Sequence, residues 1–370
     1  MKKKHIIQIS SYYPPHLGGQ ENAVHDLAQQ LANAGHRVQV ITSSKGSRLQ
    51  GNMLEGNVLV QRLRGFVFGH APIMLGLPKA LLRKTRPNSI VHLHIGQAFT
   101  PEIVWLISKL GGFKYIAQLH IDFEPSGPAG ILLPLYKRFV LGPALRSAAA
   151  VIVLNQKTLR TVRDTYKYKG EILIMNNGID DSYFMLKRPA ITAKPPKVLR
   201  LLFVGRLSKQ KNISALLGAI QATKRKVHLD IIGEGDELEL VKKTIKAYGL
   251  KNVVLRGRLT RQEVMDFYES CDALIMPSLY EAQPLVLLEA MAAGIPIIGT
   301  NVIGVEDHIK NIGIIVDPTI QGLTEGIEQY YIQYSELPER IQRGNEKMNE
   351  LRWSHTLKKY EALYEEVLEA

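Results

Sequence analysis

Two glutamates, Glu281 and Glu289, stand out in the run YEAQPLVLLEAMAAGIPIIGT. Carboxylates of this kind hydrogen-bond sugar or ribose hydroxyls, and what lies between them gives the pair its meaning. Residues 285–293 (LVLLEAMAA) read as a helix, with Pro284 near its first position and Gly294 just past its end. A helix N-terminus offers unpaired amides and a partial positive charge, a natural seat for phosphate. Glu289 then lies about 7–8 Å further along the axis. Carboxylates on either side of an anion seat suit a nucleotide sugar, whose hydroxyls flank a diphosphate. The plainer alternative is a crossover helix with two solvated glutamates. Glu289 argues against it, because a carboxylate in an otherwise apolar helix needs a partner.

Cationic candidates come from LRLLFVGRLSKQKN (199–212), where a strand leads into Arg206 and Lys211. A guanidinium fork and an ammonium five residues later can grip both phosphates of a diphosphate and neutralise a leaving group. A basic surface loop is the competing reading. Arg258, after the strand VVLRG, is a further donor-side candidate. The turn IIGEGDE places Gly233 and Gly235 between a strand and a helix. They permit close approach of a ligand or merely turn the chain, and the spacing is not that of a dinucleotide fingerprint. Gly18 and Gly19, after the first strand, carry the same two readings. His120 closes the strand YIAQLH, where active-site groups of α/β sheets gather, and its imidazole can bond a hydroxyl or handle a proton. His92 and His94 share one face of IVHLH, but no third ligand at helical spacing follows, so a zinc site is not expected. No Asp-x-Asp pair occurs to bridge a divalent cation to a diphosphate.

These residues need a scaffold that brings strand ends together. HIIQIS, HRVQVIT, VLVQRL, IVHLH, KYIAQLH, AVIVLN and EILIMNN read as strands of the first half. LRLLFVG, VHLDIIG, VVLRG, ALIMPS, IPIIGT and GIIV repeat the scheme in the second. Helical patterns between them, such as QENAVHDLAQQLANAG closed by Gly35, predict an α/β protein with parallel sheets. We expect a first domain over 1–186, a Pro- and Lys-rich linker at 187–197, a second domain over 198–352 and a terminal helix over 353–370. Two open parallel sheets bind ligands at the carboxyl ends of their strands.

The single cysteine, Cys271, excludes a disulfide within the chain and suits a reducing compartment. The basic start MKKKHIIQIS is too short in apolar residues for a signal peptide, and no stretch is long enough for a membrane span. The chain carries a net charge of +13, unevenly spread: residues 1–190 hold 24 Lys and Arg against 10 Asp and Glu. Such asymmetry points to an anionic partner. Within that half, residues 66–86 set Lys79, Arg83, Lys84 and Arg86 among apolar residues, and residues 130–146 do the same with Lys137 and Arg138. Both stretches suit an anionic membrane interface or, alternatively, core helices with a solvated basic face. Nucleic acid is not expected, since no aromatics interleave with the basic residues.

Taken together, PPHLGGQEN, AGHRVQVIT, NNGID (176–180), VGRLSKQKN, IIGEGDE and the E-x7-E block with EAMAAGIPIIGT resemble a retaining glycosyltransferase of family 4, over nearly the whole length. The resemblance implies the GT-B fold: two Rossmann-like domains whose sheets face across a cleft, with the C-terminal helix returning to the N-terminal domain. By the same resemblance, Glu281 contacts the donor sugar and Glu289 the ribose. Arg206 and Lys211 bind the diphosphate with amides around Gln283, Leu285 and Val286, while Gly19 and His120 reach the transferred sugar. No metal cofactor is implied. Ala282, Gln283 and Pro284 stand where Pro-Phe-Gly is usual, and Asn212 stands where glycine often follows the lysine. Pro284 lacks an N–H, so one phosphate donor is lost.

The expectation is thus a metal-independent hexosyltransferase, cytoplasmic and peripheral on the inner face of the membrane. It would pass sugar from a nucleotide-sugar donor, with a UDP-sugar preferred, to a lipid-linked or saccharide acceptor. A nucleotide-sugar epimerase on the same fold and a non-catalytic nucleotide-sugar-binding protein are the alternatives.

Overall fold

The structure, a computed structural model, describes residues 3–16, 18–45, 49–68, 71–85, 89–120 and 133–369. The chain folds as two compact units, residues 1–178 with 353–370, and residues 179–352.

Unit 1 contains β1 (His5–Ile9), β2 (Arg37–Ser43), β3 (Gly51–Glu55), β4 (Val58–Leu63), β5 (Gly65–Phe68), β6 (Ala71–Met74), β7 (Ser89–Ile95), β8 (Tyr115–Leu119), β9 (Ala150–Val153) and β10 (Glu171–Ile174). Its helices are α1 (Gly19–Asn33), α2 (Leu77–Lys84), α3 (Thr100–Gly111), the short α4 (Leu133–Tyr136) running through a π-turn over 137–141 into α5 (Gly142–Arg146), and α6 (Gln156–Asp164). Eight strands form one sheet in the order β10-β9-β8-β7-β1-β2-β4-β3. All of its pairings are parallel except β3 with β4. Runs such as Ile6–Ile7 and Val151–Ile152 are fully buried, as strands covered on both faces require. Strand order reverses between β1 and β7, so the ends of β1, β7 and β8 open onto a ligand-type crevice.

Unit 2 contains α7 (Asp181–Phe184), β11 (Leu199–Val204), α8 (Ile213–Ala222), β12 (Val227–Ile232), α9 (Leu238–Tyr248), β13 (Val253–Gly257), α10 (Arg261–Ser270), β14 (Ala273–Met276), α11 (Leu285–Ala292), β15 (Ile297–Thr300), α12 (Glu306–Ile309), β16 (Ile314–Val316), α13 (Ile320–Ile332) and α14 (Leu337–Asn349). Its six-stranded sheet, β13-β12-β11-β14-β15-β16, is parallel throughout and reverses between β11 and β14. The helix boundaries follow local chemistry. Thr260 and Glu263 form a reciprocal capping box on α10, and Gly294 adopts φ +69° just past α11.

The last helix, α15 (Trp353–Glu369), belongs to unit 1. Trp353, Thr356, Tyr360, Leu363 and Tyr364 recur at helical spacing and are buried against the face that also receives α1. Lys4 bonds Glu365 at 2.7 Å, and His36 Nε2 lies 2.9 Å from Glu361.

Three features differ from the sequence reading. The division falls at Gly178 and Ile179, earlier than 186. Residues 187–197 lack helix and strand, but they lie on unit 2 rather than between bodies: Arg188 donates to the Cys271 carbonyl at 2.8 Å, and Ile191 packs on the core. The strand β3 and the β5–β6 hairpin are additional; GNMLE shows no alternation to announce a strand. Residues 66–86 therefore comprise a hairpin followed by α2 rather than one helix, and Arg86 lies outside the described residues.

Candidate active site

In unit 2 the ends of β11 and β14 bring Lys211 and Glu281 into one ion pair, with Lys211 Nζ 2.5 Å from Glu281 Oε1. Ser278 donates to the same oxygen at 2.7 Å, and Gln210 Nε2 reaches the other at 3.4 Å. The carboxylate is 8% exposed and the ammonium 17%. Both charges are mostly out of bulk water, where their attraction is strongest and isolating one is most costly. The loop is fixed from behind by Gly304, at φ +83°, where a Cβ would clash with the carbonyl oxygens of Glu281 and Ala282. Asn212 is left-handed at φ 53°, and its side-chain amide donates to the carbonyls of Pro277 at 3.1 Å and Pro318 at 3.0 Å. It therefore holds the turn that a glycine would otherwise allow and ties the Lys211 segment to the loop leading to Glu281. Ser278, Gln210 and Gly304 were not legible as site residues; a glycine four residues past the strand IPIIGT is the one signal Gly304 left.

Pro284 is the N-cap of α11 rather than its first residue. No side chain caps the helix, and the Leu287 and Leu288 amides return to the Pro284 carbonyl. The amides of Leu285 and Val286 thus face outward from the first turn with no intrahelical acceptor. Gln283 is buried beside them. Glu289 has the partner its apolar surroundings demand, for the Tyr268 hydroxyl donates to it at 3.2 Å and Tyr183 hydrogen-bonds it as well. Burial first and the Glu289 charge second push both phenols well above the ordinary tyrosine range, so they remain donors. Arg206 and Arg258 are exposed on the turns after β11 and β13. Gly233 and Gly235 have a structural duty: a Cβ on either would clash with the carbonyl oxygen of Gly205 or Leu207. What approaches them closely is the chain's own backbone.

In unit 1 the crevice between β1 and β7 gathers Gly18, Gly19 and His120. A Cβ at Gly18 would strike the buried Glu21 carboxylate, which bonds His16 Nδ1 at 2.9 Å; one at Gly19 would meet open space. His120 Nε2 lies 2.9 Å from His94 Nδ1, and His92 Nδ1 lies 2.8 Å from the Tyr364 hydroxyl. Burial pushes the His120 imidazole down to about 4, with the Glu21 charge opposing, and His92 down to about 3. All are neutral near pH 7, which favours hydrogen bonding over proton handling at His120. Sequence spacing did not reveal that His120 joins His92 and His94, because the contact crosses from β7 to the end of β8. Among the described residues no group of three or more His, Cys, Asp or Glu side chains is arranged to hold a metal ion.

The basic stretches lie on neighbouring elements of unit 1. Leu82, Lys79 and Arg83 on α2, Leu106, Lys109 and Leu110 on α3, and Leu135, Arg138 and Phe139 beyond are all exposed, while Lys137 is half-buried over the Tyr166 ring. Of Lys84 only the backbone is described. Leu82 reaches Gly111 at the end of α3, so the face is continuous from one helix to the next.

Two family models cover the chain: Glycosyltransferase Family 4 over residues 17–183 and Glycosyl transferases group 1 over residues 186–348. The chain belongs to glycosyltransferase family 4. A glycogen synthase of Mycobacterium tuberculosis is 27% identical over 83% of this chain and 80% of its own length. An alpha-monoglucosyldiacylglycerol synthase of Streptococcus pneumoniae is 24% identical over 77% and 68%. The crystal structure of Anabaena HepE in complex with UDP-glucose superposes with a TM-score of 0.75 at 16% identity, covering 97% of this chain and 99% of that one. The two parallel-sheet units are those of the GT-B class. This family 4 member is a glycosyltransferase that uses a nucleotide sugar. Among the described residues no helix is long and apolar enough to cross a membrane.

Proposed function

We propose that this glycosyltransferase moves a hexose, with retained anomeric configuration and without a metal ion, from a UDP-sugar to a lipid-linked or saccharide acceptor at the cytoplasmic face of a membrane. The observation that carries the reading is the Lys211–Glu281 ion pair at the switch point of the second sheet, in a unit whose α11 leaves its first amides uncapped. Lys211, Arg206 and those amides oppose the diphosphate, with Arg258, Gly233 and Gly235 on the same donor side. Glu281 orients the sugar hydroxyls, and Glu289, steadied by Tyr268 and Tyr183, takes the ribose. Gly19 and the neutral His120 are the further sugar-contact candidates that the family resemblance implies. The bond from the anomeric carbon to the phosphate oxygen breaks with its electron pair on the phosphate. The acceptor oxygen bonds the same face of the sugar, and its proton passes to the departing phosphate. Preorganised cations lower the cost of that developing charge.

UDP is favoured because HepE is described with UDP-glucose. The membrane is favoured because α2, α3 and residues 133–139 interleave exposed leucine and phenylalanine with Lys and Arg, as bilayer-surface helices do. The glycolipid synthase relative agrees with a lipid acceptor.

Thermal shift against UDP, GDP and ADP, followed by transfer assays, tests this. UDP is expected to raise Tm most, and Lys211→Ala to abolish that rise and lower kcat by about 10²–10³-fold. Near wild-type transfer by Lys211→Ala sinks the reading. Either alanine strands the other buried charge at a cost of about 3–5 kcal/mol in stability, so the Tm of each variant is read beside its kcat, and Glu281→Gln is the milder variant on the acidic side.

A further inference from the structure

Outside the donor residues, the most unusual polar arrangement is the histidine series under unit 1. Both His92 and His94 point to one face of β7 and are fully buried. Their rings lie 4.2 Å apart, and the Tyr364 hydroxyl of α15 bonds His92 from behind. His94 has one polar partner among the described residues, the Nε2 of His120, at 2.9 Å from its Nδ1; its own Nε2 is buried with none.

A neutral imidazole has one N–H and one lone pair. If His120 donated to His94, the His94 proton would have to sit on Nε2, a buried N–H facing no acceptor. If His94 donates from Nδ1, only a lone pair is left without a partner. Orphaned buried N–H groups are the rarer and costlier of the two. Burial holds both rings neutral near pH 7, so a charged form with two donors does not compete.

We propose that His94 is a positioning residue that fixes His120 as its Nδ1–H tautomer, so that His120 offers the transferred sugar a hydrogen-bond donor rather than a base. The mechanism matches other hydrogen-bonded histidines, in which the partner of one ring nitrogen decides what the other presents. It also gives α15 a part in the site, because Tyr364 and His92 hold the His94 ring in place. The inference rests on the reading above that His120 meets the transferred sugar.

Ring ¹⁵N spectra of the full chain without donor, at pH 7.5, read the tautomer directly. The expected result is a protonated Nδ1 and a bare Nε2 at His120. His94→Leu, which cannot donate, is expected to leave His120 in mixed tautomers and to lower kcat about tenfold, the worth of one oriented hydrogen bond. His94→Asn places an amide N–H near the position of Nδ1 and is expected to restore both readouts. A protonated Nε2 at His120 in the native chain, or a pure Nδ1–H form in His94→Leu, overturns the proposal. Unchanged kcat in His94→Leu despite mixed tautomers also overturns the positioning role. If His120→Ala is then equally active, the reading of His120 itself has failed.

Discussion

The two units place their candidate residues at the same architectural point, where a parallel sheet reverses its strand order, yet they treat charge in opposite ways. Unit 2 puts Lys211 and Glu281 on loops beyond β11 and β14 and pairs them at 2.5 Å. Unit 1 sinks His92, His94 and His120 beneath the sheet edge and α15, where burial keeps them neutral. Lys79, Arg83, Lys109, Lys114 and Arg138 lie exposed on its surface. The lesson is that a unit's net charge and the charge of its site are separate quantities. Here the basic half carries exposed cations on the outside of its fold, and the near-neutral half holds the buried ion pair.

Acid should break this comparison most forcefully. The folded histidines of unit 1 bind protons less readily than the ordinary histidine range of the unfolded chain, about 6.5. Between that value and about 4 the unfolded state therefore binds more protons, and stability falls as pH falls. For His92 the window extends to about 3, and above pH 6.5 the effect is flat. His120 can withdraw about 3 kcal/mol across its window and His92 about 5 kcal/mol. Unit 2 has His308, held down to about 4 by burial and by Lys347, as its counterpart. Hydrogen exchange at pH 7 and pH 4.5 should show β7, β8 and α15 losing protection before β11 and β14. The reverse order would mean that the histidine cluster is not what limits unit 1.

Sequence patterns carried the architecture because buried parallel strands are apolar runs and the helices between them are amphipathic. Leu199–Val204 and Ile297–Thr300 could be placed from residue types alone. The E-x7-E spacing likewise exposed Glu281 and Glu289, since both sit within one loop–helix segment. Partners that arrive from elsewhere in the chain were invisible: Tyr268 and Tyr183 for Glu289, Gln210 for Glu281, and His94 for His120. Each depends on register between elements, which composition does not encode. Gly233 and Gly235 show the converse, for a motif that suggests a ligand also fits backbone packing against Gly205 and Leu207.

The outer face of unit 1 offers a smaller but sharper test. Lys79→Ala with Arg83→Ala should weaken binding to phosphatidylglycerol vesicles by about 2 kcal/mol, roughly thirtyfold, at about 1 kcal/mol per cation. Leu110→Ser, at a leucine 73% exposed on α3, should weaken it further without lowering Tm. The control lies in unit 2: Lys242 and Lys243 on α9 are also exposed cations, but Glu239 pairs with Lys242 at 2.8 Å. Alanine at those two should leave sedimentation with vesicles unchanged. Equal losses from both faces would reduce the distinction between the units to bulk charge.

The smallest expected effect concerns Asn212, where unit 2 has a side chain in place of a customary glycine. Its left-handed backbone suits glycine, but its two hydrogen bonds, to the carbonyls of Pro277 and Pro318, exist only with the amide present. Asn212→Gly keeps the backbone relaxed and loses those bonds, so about 1 kcal/mol of stability should go. Asn212→Ala loses the same bonds and adds a left-handed penalty of about 1 kcal/mol. Because Pro277 leads into the loop of Glu281, both variants should also raise KM for the donor a few-fold, alanine more than glycine. Urea melts and donor titrations measure the two quantities separately. A glycine variant as stable as the native chain, with KM unchanged, would mean the ion pair is held by its own attraction and by Ser278. The charged site of unit 2 would then depend on local electrostatics rather than on the bracing that Asn212 provides between turn and loop.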